Sequence, residues 1–98
     1  MDEKRNFFRV KNKGDILAKY GSHSLDVIEV SSSGVAIIKK SIHIQKEGTL
    51  ELNINHTSVK IKYELLRIEK KTMVLIFKNK EEIDKLFLIL KQLKDERQ

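Results

Sequence analysis

The middle of the chain alternates apolar and polar residues on both sides of a short polar break. Residues 50–54 and 59–65 each place an apolar side chain at every second position. A two-residue period is typical of a β-strand that buries one face. Asn55 and His56 lie between the two segments and predict a tight turn. This region is therefore expected to form an antiparallel hairpin packed on a core.

Short apolar segments on either side of this hairpin predict four further strands. These four segments are residues 15–20, 25–30, 35–38 and 73–77. A turn or bulge is expected at 31–34, where Gly34 would supply a backbone angle that side chains disfavour. At Leu65 and Leu66 the alternation slips by one residue, which predicts a β-bulge where a barrel strand bends.

The last segment changes from the strand period to helical spacing. Its apolar residues fall along one helix face, at positions 83, 86, 87, 90 and 93. Asn79 can cap the N-terminus of this helix, and Glu82 three residues later completes a capping-box-like start. We therefore expect an all-β fold with one C-terminal helix, in which a six-stranded antiparallel β-barrel is closed at one end by the helix.

Length and composition narrow the class of protein. The chain has 98 residues, which predicts one domain spanning residues 1–98, and it contains no cysteine for a disulfide or a thiolate metal site. No segment reaches the roughly 20 apolar residues of a membrane helix, and the N-terminus lacks the apolar core of a signal peptide. These features favour a cytoplasmic protein without membrane insertion.

The net charge of +6 favours anionic partners in general. The lysines are spread along the whole chain, however, and this distribution is typical of an ordinary solvated surface. Charge alone therefore does not indicate a particular partner.

Two arginines near the N-terminus, Arg5 and Arg9, are separated by three residues. A guanidinium group can grip a phosphate, or the O6/N7 edge of guanine, with two parallel hydrogen bonds. Two such groups at short spacing suit a ligand that carries both phosphates and guanines. Taken alone, this spacing also occurs by chance in basic proteins.

A second polar motif, ExSxxG, is formed by Glu29, Ser31 and Gly34. A carboxylate can accept hydrogen bonds from the N1–H and N2–H donors of guanine, and a hydroxyl can bond a phosphate or base oxygen. A glycine permits close approach of a ligand to the backbone. Taken alone, the motif is also compatible with a serine-rich turn that begins with an exposed acid.

The order and separation of the two motifs resemble the bacterial PilZ domain, a receptor module for cyclic di-GMP. That family's pattern is RxxxR followed by (D/N)xSxxG, and Glu29 is the position at which this chain departs from it. Glutamate extends the carboxylate by about 1.5 Å relative to aspartate. The resemblance covers essentially the whole chain and implies a clamp arm, a PilZ-type barrel and a helix, at 1–13, 14–78 and 79–96.

The resemblance also implies roles for individual residues. Arg5 and Arg9 would clamp cyclic di-GMP, and Lys4 could add a phosphate contact. Glu29, Ser31 and Gly34 would form a polar shelf under a guanine, whereas Ser32 and Ser33 occupy the variable positions and receive no role. The expected protein is a non-catalytic signalling effector with a downstream protein partner and no cofactor.

Two other classes of protein remain open from the sequence. One is an adaptor of the same fold that binds a motility or pilus component and binds nucleotide weakly or not at all. The other is a small basic barrel for RNA or single-stranded DNA, which would need surface aromatics on one sheet face. No nucleophile–base pair or phosphate loop indicates an enzyme, and the three histidines, His23, His43 and His56, lack the spacing of a metal site.

Overall fold

A computed structural model describes residues 9–39 and 43–96. The strands of these ranges are β1 (Arg9–Lys11), β2 (Ile16–Tyr20), β3 (His23–Leu25), β4 (Val27–Ser31), β5 (Gly34–Ile38), β6 (Glu47–Ile54), β7 (Thr57–Ile68) and β8 (Thr72–Phe77), and the helix is α1 (Lys80–Glu96). All strand pairs are antiparallel, in the order β1-β4-β5-β8-β7-β6-β2-β3. The expected antiparallel, barrel-like β fold with one C-terminal helix is confirmed, and its sheet is curled into a half-barrel.

The number of strands differs from the prediction: the described residues form eight strands, whereas six were expected. The two additional strands, β1 and β3, contain three residues each. Three residues are too few to show an alternation of apolar and polar side chains. Arg9–Lys11 were therefore predicted to belong to the arm that precedes the barrel. In the structure these residues pair with β4, so Arg9–Lys11 of that arm belong to the sheet.

The core lies between the inner face of the curled sheet and one face of α1. Leu86, Leu90 and Leu93 are buried there, at the helical spacing expected from the sequence. Burial of each such side chain stabilises the fold by about 1.5–3 kcal/mol. Within the described ranges, no helix has the length and apolar character needed to cross a bilayer.

The start of α1 is fixed from two directions. The Oδ1 atom of Asn79 accepts a hydrogen bond from the backbone N–H of Glu82 at 3.0 Å, as expected for an N-cap. The carboxylate of Glu82 accepts from the backbone N–H of Lys62 in β7 at 2.9 Å. This carboxylate therefore ties the helix to the sheet, whereas a capping box would direct it to its own cap residue.

The predicted hairpin and bulge are both present. Asn55 and His56 connect β6 to β7 with φ values of 50° and 73°. The register of β7 against β8 shifts between Leu65 and Arg67, at the phase slip seen in the sequence. The turn and the bulge were therefore both predictable from residue type and spacing.

Candidate functional site on the outer face of β1, β4 and β5

Three of the motif residues lie in one row across three adjacent strands. Arg9 in β1 is paired with Ser31 in β4, and Ser31 is paired with Gly34 in β5. Paired residues of antiparallel strands point to the same face of a sheet. Because Val10 between the two exposed β1 side chains is buried, this row lies on the outer face. It spans roughly 10 Å at the usual strand separation.

Glu29 lies in the neighbouring row, directly opposite Lys11 of β1. Its Oε2 atom is 3.6 Å from Nη1 of Arg9, which makes a diagonal ion pair between β1 and β4. The Arg9 side chain is 63% exposed and that of Glu29 is 30% exposed. An exposed pair of this kind stabilises a fold by about 0–1 kcal/mol, so it can open readily.

The Ser31 side chain organises the turn between β4 and β5. Its Oγ atom accepts a hydrogen bond from the backbone N–H of Ser33 at 3.3 Å and donates to the carbonyl of Gly34 at 3.4 Å. The hydroxyls of Ser31 and Ser33 are 3.1 Å apart. Ser32, which occupies a variable position of the motif, is buried at 2% exposure. The turn is thus built by the serines themselves.

Gly34 is required for a reason that differs from the prediction. A backbone angle that disfavours side chains was expected, but the described glycines with positive φ are Gly14 and Gly21. A Cβ atom on Gly34 would lie 2.5 Å from the backbone oxygen of Leu75 in β8. The expected backbone strain is therefore wrong, and the glycine instead permits β5 and β8 to approach closely.

Asn12 holds β1 in place beside the site, and the sequence analysis did not predict this role. Its Nδ2 group donates to the carbonyls of Ile16 and Val27, both at 2.9 Å. Its Oδ1 atom accepts from the backbone N–H groups of Gly14 at 2.9 Å and Ile16 at 3.1 Å. These bonds join the end of β1 to β2 and β4. An asparagine two residues before a glycine is a turn signal that could have indicated this role.

Two predicted ligand residues, Arg5 and Lys4, lie outside the described residues. Both remain predictions. The part of the site that the structure describes consists of Arg9, Glu29, Ser31 and Gly34.

Comparison with known proteins identifies the family. The family model described as PilZ-like, or PilZ domain-like, matches residues 9–98. The chain belongs to the PilZ-like family. The resemblance inferred from the two motifs is thereby confirmed.

Two solved structures are similar to this PilZ-like protein. An uncharacterized Legionella protein, Lpg0364, is 42% identical with a TM-score of 0.90, and the match covers 93% of this chain and 98% of that one. The Bacillus subtilis inhibitor of motility, MotI/DgrA, is 17% identical with a TM-score of 0.60, covering 92% of this chain and 50% of that one. The second likeness shows a shared fold. No curated protein matches this chain.

Beside the polar row, the outer face of the PilZ-like protein continues as a small apolar platform. Ile76 of β8 is paired with Gly34, and Val74 is paired with Ala36 of β5. The side chains of Ala36, Val74 and Ile76 are half-buried. A flat aliphatic surface next to charged and hydroxyl groups can support a planar base while its edge is hydrogen-bonded.

An open depression of about 550 Å³ lies farther along the sheet, across β6 and β7. Its lining includes Lys78, whose Nζ atom is 2.9 Å from Oε1 of Glu64. The hydrogen bond and the charge of Glu64 raise the pKa of Lys78. The lining of this depression includes none of Arg9, Glu29, Ser31 and Gly34.

The described side chains offer little for metal chemistry. In residues 9–39 and 43–96, no three histidine, cysteine, aspartate or glutamate side chains are grouped so that they could hold a metal ion. The arrangement around Arg9 brings together a cation, a carboxylate, hydroxyls and an apolar platform on one face of the sheet.

Proposed function

We propose that this PilZ-like protein is a non-catalytic receptor for cyclic di-GMP, which binds across the outer face of β1, β4 and β5. The observation that carries the proposal is the strand register. It brings Arg9, Ser31 and Gly34 into one row on the outer face, although they belong to two motifs about twenty residues apart.

The ligand's chemistry matches this row. Arg9 is exposed and its guanidinium can bond a phosphate or the O6/N7 edge of guanine. Arg5, four residues earlier, would supply a second guanidinium, and Lys4 a further positive charge. The Ser31 hydroxyl borders the row, and the platform of Ala36, Val74 and Ile76 would support the face of a base.

Signalling follows from where the ligand would bind. A bound dinucleotide would cover the outer face of three strands and change the charge and shape that this face presents. We expect a downstream partner protein in the cytoplasm to detect that change, as in other ligand switches. The protein would then transmit the signal without transforming its ligand.

Isothermal titration calorimetry of cyclic di-GMP tests the proposal directly. We expect binding by the wild-type protein and a loss of affinity of about 10- to 100-fold for Arg9→Ala, because a charged hydrogen bond contributes roughly 1.5–3 kcal/mol. Arg5→Ala should show a loss of the same order.

Lys80→Ala is the control, since Lys80 is also an exposed cation paired with a nearby carboxylate, Asp84, at 3.1 Å, and it lies on α1. This variant removes a positive charge from the opposite side of the sheet and should change affinity less than about twofold. Equal affinity of Arg9→Ala and wild type would exclude Arg9 from the site. Equal competition by unrelated nucleotides would exclude specificity for cyclic di-GMP.

One observation favours an adaptor that binds nucleotide weakly as the second candidate. Glu29 already lies 3.6 Å from Arg9 and competes for its guanidinium. If wild-type protein binds no cyclic di-GMP by calorimetry or by a second method, the adaptor becomes the preferred function. A search for its protein partner would then follow.

A further inference from the structure

The outer face of β1 carries a second cation next to Arg9. Lys11 is two residues further along the same strand, so its side chain points to the same face, while Val10 between them is buried. Lys11 lies directly opposite Glu29, and Arg9 is diagonal to it at 3.6 Å. One carboxylate on β4 is therefore flanked by two cations on β1.

The two cations and the carboxylate differ in how firmly the sheet holds them. The Glu29 side chain is the more sheltered member of the ion pair, with 30% exposure against 63% for Arg9. Its strand is paired on both sides, whereas β1 is an edge strand of three residues. The carboxylate therefore lies on the more firmly held strand, and the two cations lie on the edge strand.

We propose that Lys11 is a further ligand-binding residue and that Glu29 is an internal counter-ion, which a ligand phosphate displaces from Arg9. This inference rests on the proposed function and adds a regulatory element to the same site. The side-chain carboxylate and the phosphate are alternative partners for the guanidinium N–H groups of Arg9. Glu29 therefore sets the ligand concentration at which the site fills.

The length of glutamate is important for this role. An aspartate at position 29 would withdraw the carboxylate by about 1.5 Å and lengthen its separation from Arg9 beyond the range of an ion pair. Glu29→Asp therefore keeps the charge but weakens the pair. Glu29→Gln keeps the length of the side chain but removes its charge. Comparing the two variants distinguishes the effect of side-chain length from the effect of charge.

The first experiment is a calorimetric titration of cyclic di-GMP into four variants. We expect Lys11→Met to weaken binding about 5- to 20-fold and Glu29→Gln to tighten it about 3- to 10-fold. Lys13→Met and Glu51→Gln are the matched controls, because Lys13 lies just beyond β1 and Glu51 is an acid opposite Lys60 on distant strands. Both controls should stay within about twofold of wild type.

Two results would overturn the proposal while the receptor function stands. If Lys11→Met behaves like Lys13→Met, Lys11 makes no contact with the ligand. If Glu29→Gln weakens binding, the carboxylate contacts the ligand and is not displaced by it. Circular dichroism spectra of all variants would confirm that the fold is retained.

A second experiment tests the counter-ion role of Glu29 independently of whether the protein binds cyclic di-GMP. Inorganic pyrophosphate is titrated into ¹⁵N-labelled wild-type and Glu29→Gln protein, and the NMR signals of the Arg9 side chain and the Lys11 amide are followed. Tighter pyrophosphate binding by Glu29→Gln supports the counter-ion even if no variant binds cyclic di-GMP. Identical affinities in the two proteins overturn it.

Discussion

Two hairpins of this sheet have the same loop length but are built differently. In the first, here called the Asn55 hairpin, Ile54 and Thr57 form the last pair and the loop is Asn55-His56. In the second, the Ser31 hairpin, the last pair is Ser31 with Gly34 and the loop is Ser32-Ser33. Each loop contains two residues, so the differences lie in the chemistry.

The Asn55 hairpin is held by backbone conformation. Both loop residues have positive φ, which matches the twist of the flanking strands. The Ser31 hairpin is held by side-chain hydroxyls and by a neighbouring strand, because Ser33 N–H donates to Ser31 Oγ and Phe77 N–H donates to the Ser33 carbonyl. The motif that faces the proposed ligand therefore also holds the β4–β5 turn to β8.

The largest effect on stability is expected from Gly34→Ala in the Ser31 hairpin. The added Cβ would lie 2.5 Å from the Leu75 backbone oxygen, so β5 or β8 must move. We expect the free energy of unfolding to fall by about 2–3 kcal/mol, measured by chemical denaturation. Thermal melting should show a loss of roughly 10–20 °C for a domain of this size.

Gly48→Ala is the control for this prediction. Its Cβ would meet the Tyr63 side chain at 3.1 Å, and a side chain can yield where a backbone oxygen cannot. Its cost should be less than half that of Gly34→Ala. If Gly34→Ala were as stable as wild type, close approach of the strands could not be the reason for this glycine.

The contrast between the two hairpins also explains what the sequence could reveal. The Asn55 hairpin was predicted because its cause is local: alternation on both sides and two residues that tolerate positive φ. The phase slip at Leu65 and the helical spacing of Leu86, Leu90 and Leu93 are local for the same reason. The resemblance to the PilZ pattern predicted the motif residues together as candidate site residues.

The role of Gly34 could not be predicted because it depends on a strand that begins almost forty residues later. Nothing near position 34 shows that Leu75 will be its neighbour. Lys11 was overlooked for a similar reason, since only the register of β1 against β4 places it opposite Glu29. Residues whose function depends on pairing between distant segments are invisible to local patterns.

A second prediction concerns the hydroxyl that links structure and site. Ser31→Ala removes the acceptor for Ser33 N–H and the donor to the Gly34 carbonyl. We expect a loss of about 1 kcal/mol in unfolding free energy, since both bonds are long and the loop is exposed. Under the proposed function, affinity for cyclic di-GMP should also fall about 5- to 10-fold.

Ser58→Ala is the matched serine variant beside the Asn55 hairpin. The Ser58 hydroxyl donates to the Glu51 carboxylate at 2.8 Å on an exposed surface. This variant should lose less stability than Ser31→Ala and leave nucleotide affinity unchanged. A Ser31→Ala protein with wild-type stability would show that the Ser31 hairpin does not depend on this hydroxyl.

The smallest expected effect is a gain in stability from His56→Gly in the Asn55 hairpin. His56 has φ of 73°, and glycine occupies that region without the steric cost of a side chain. An Asn-Gly loop is the preferred pair for this turn, so unfolding free energy should rise by about 0.5–1 kcal/mol. Ser33→Gly, at the equivalent position of the Ser31 hairpin, should instead destabilise, because its φ is not positive and its hydroxyl is used. If both substitutions shifted stability in the same direction, the two hairpins would share one mechanism and the contrast between them would be lost.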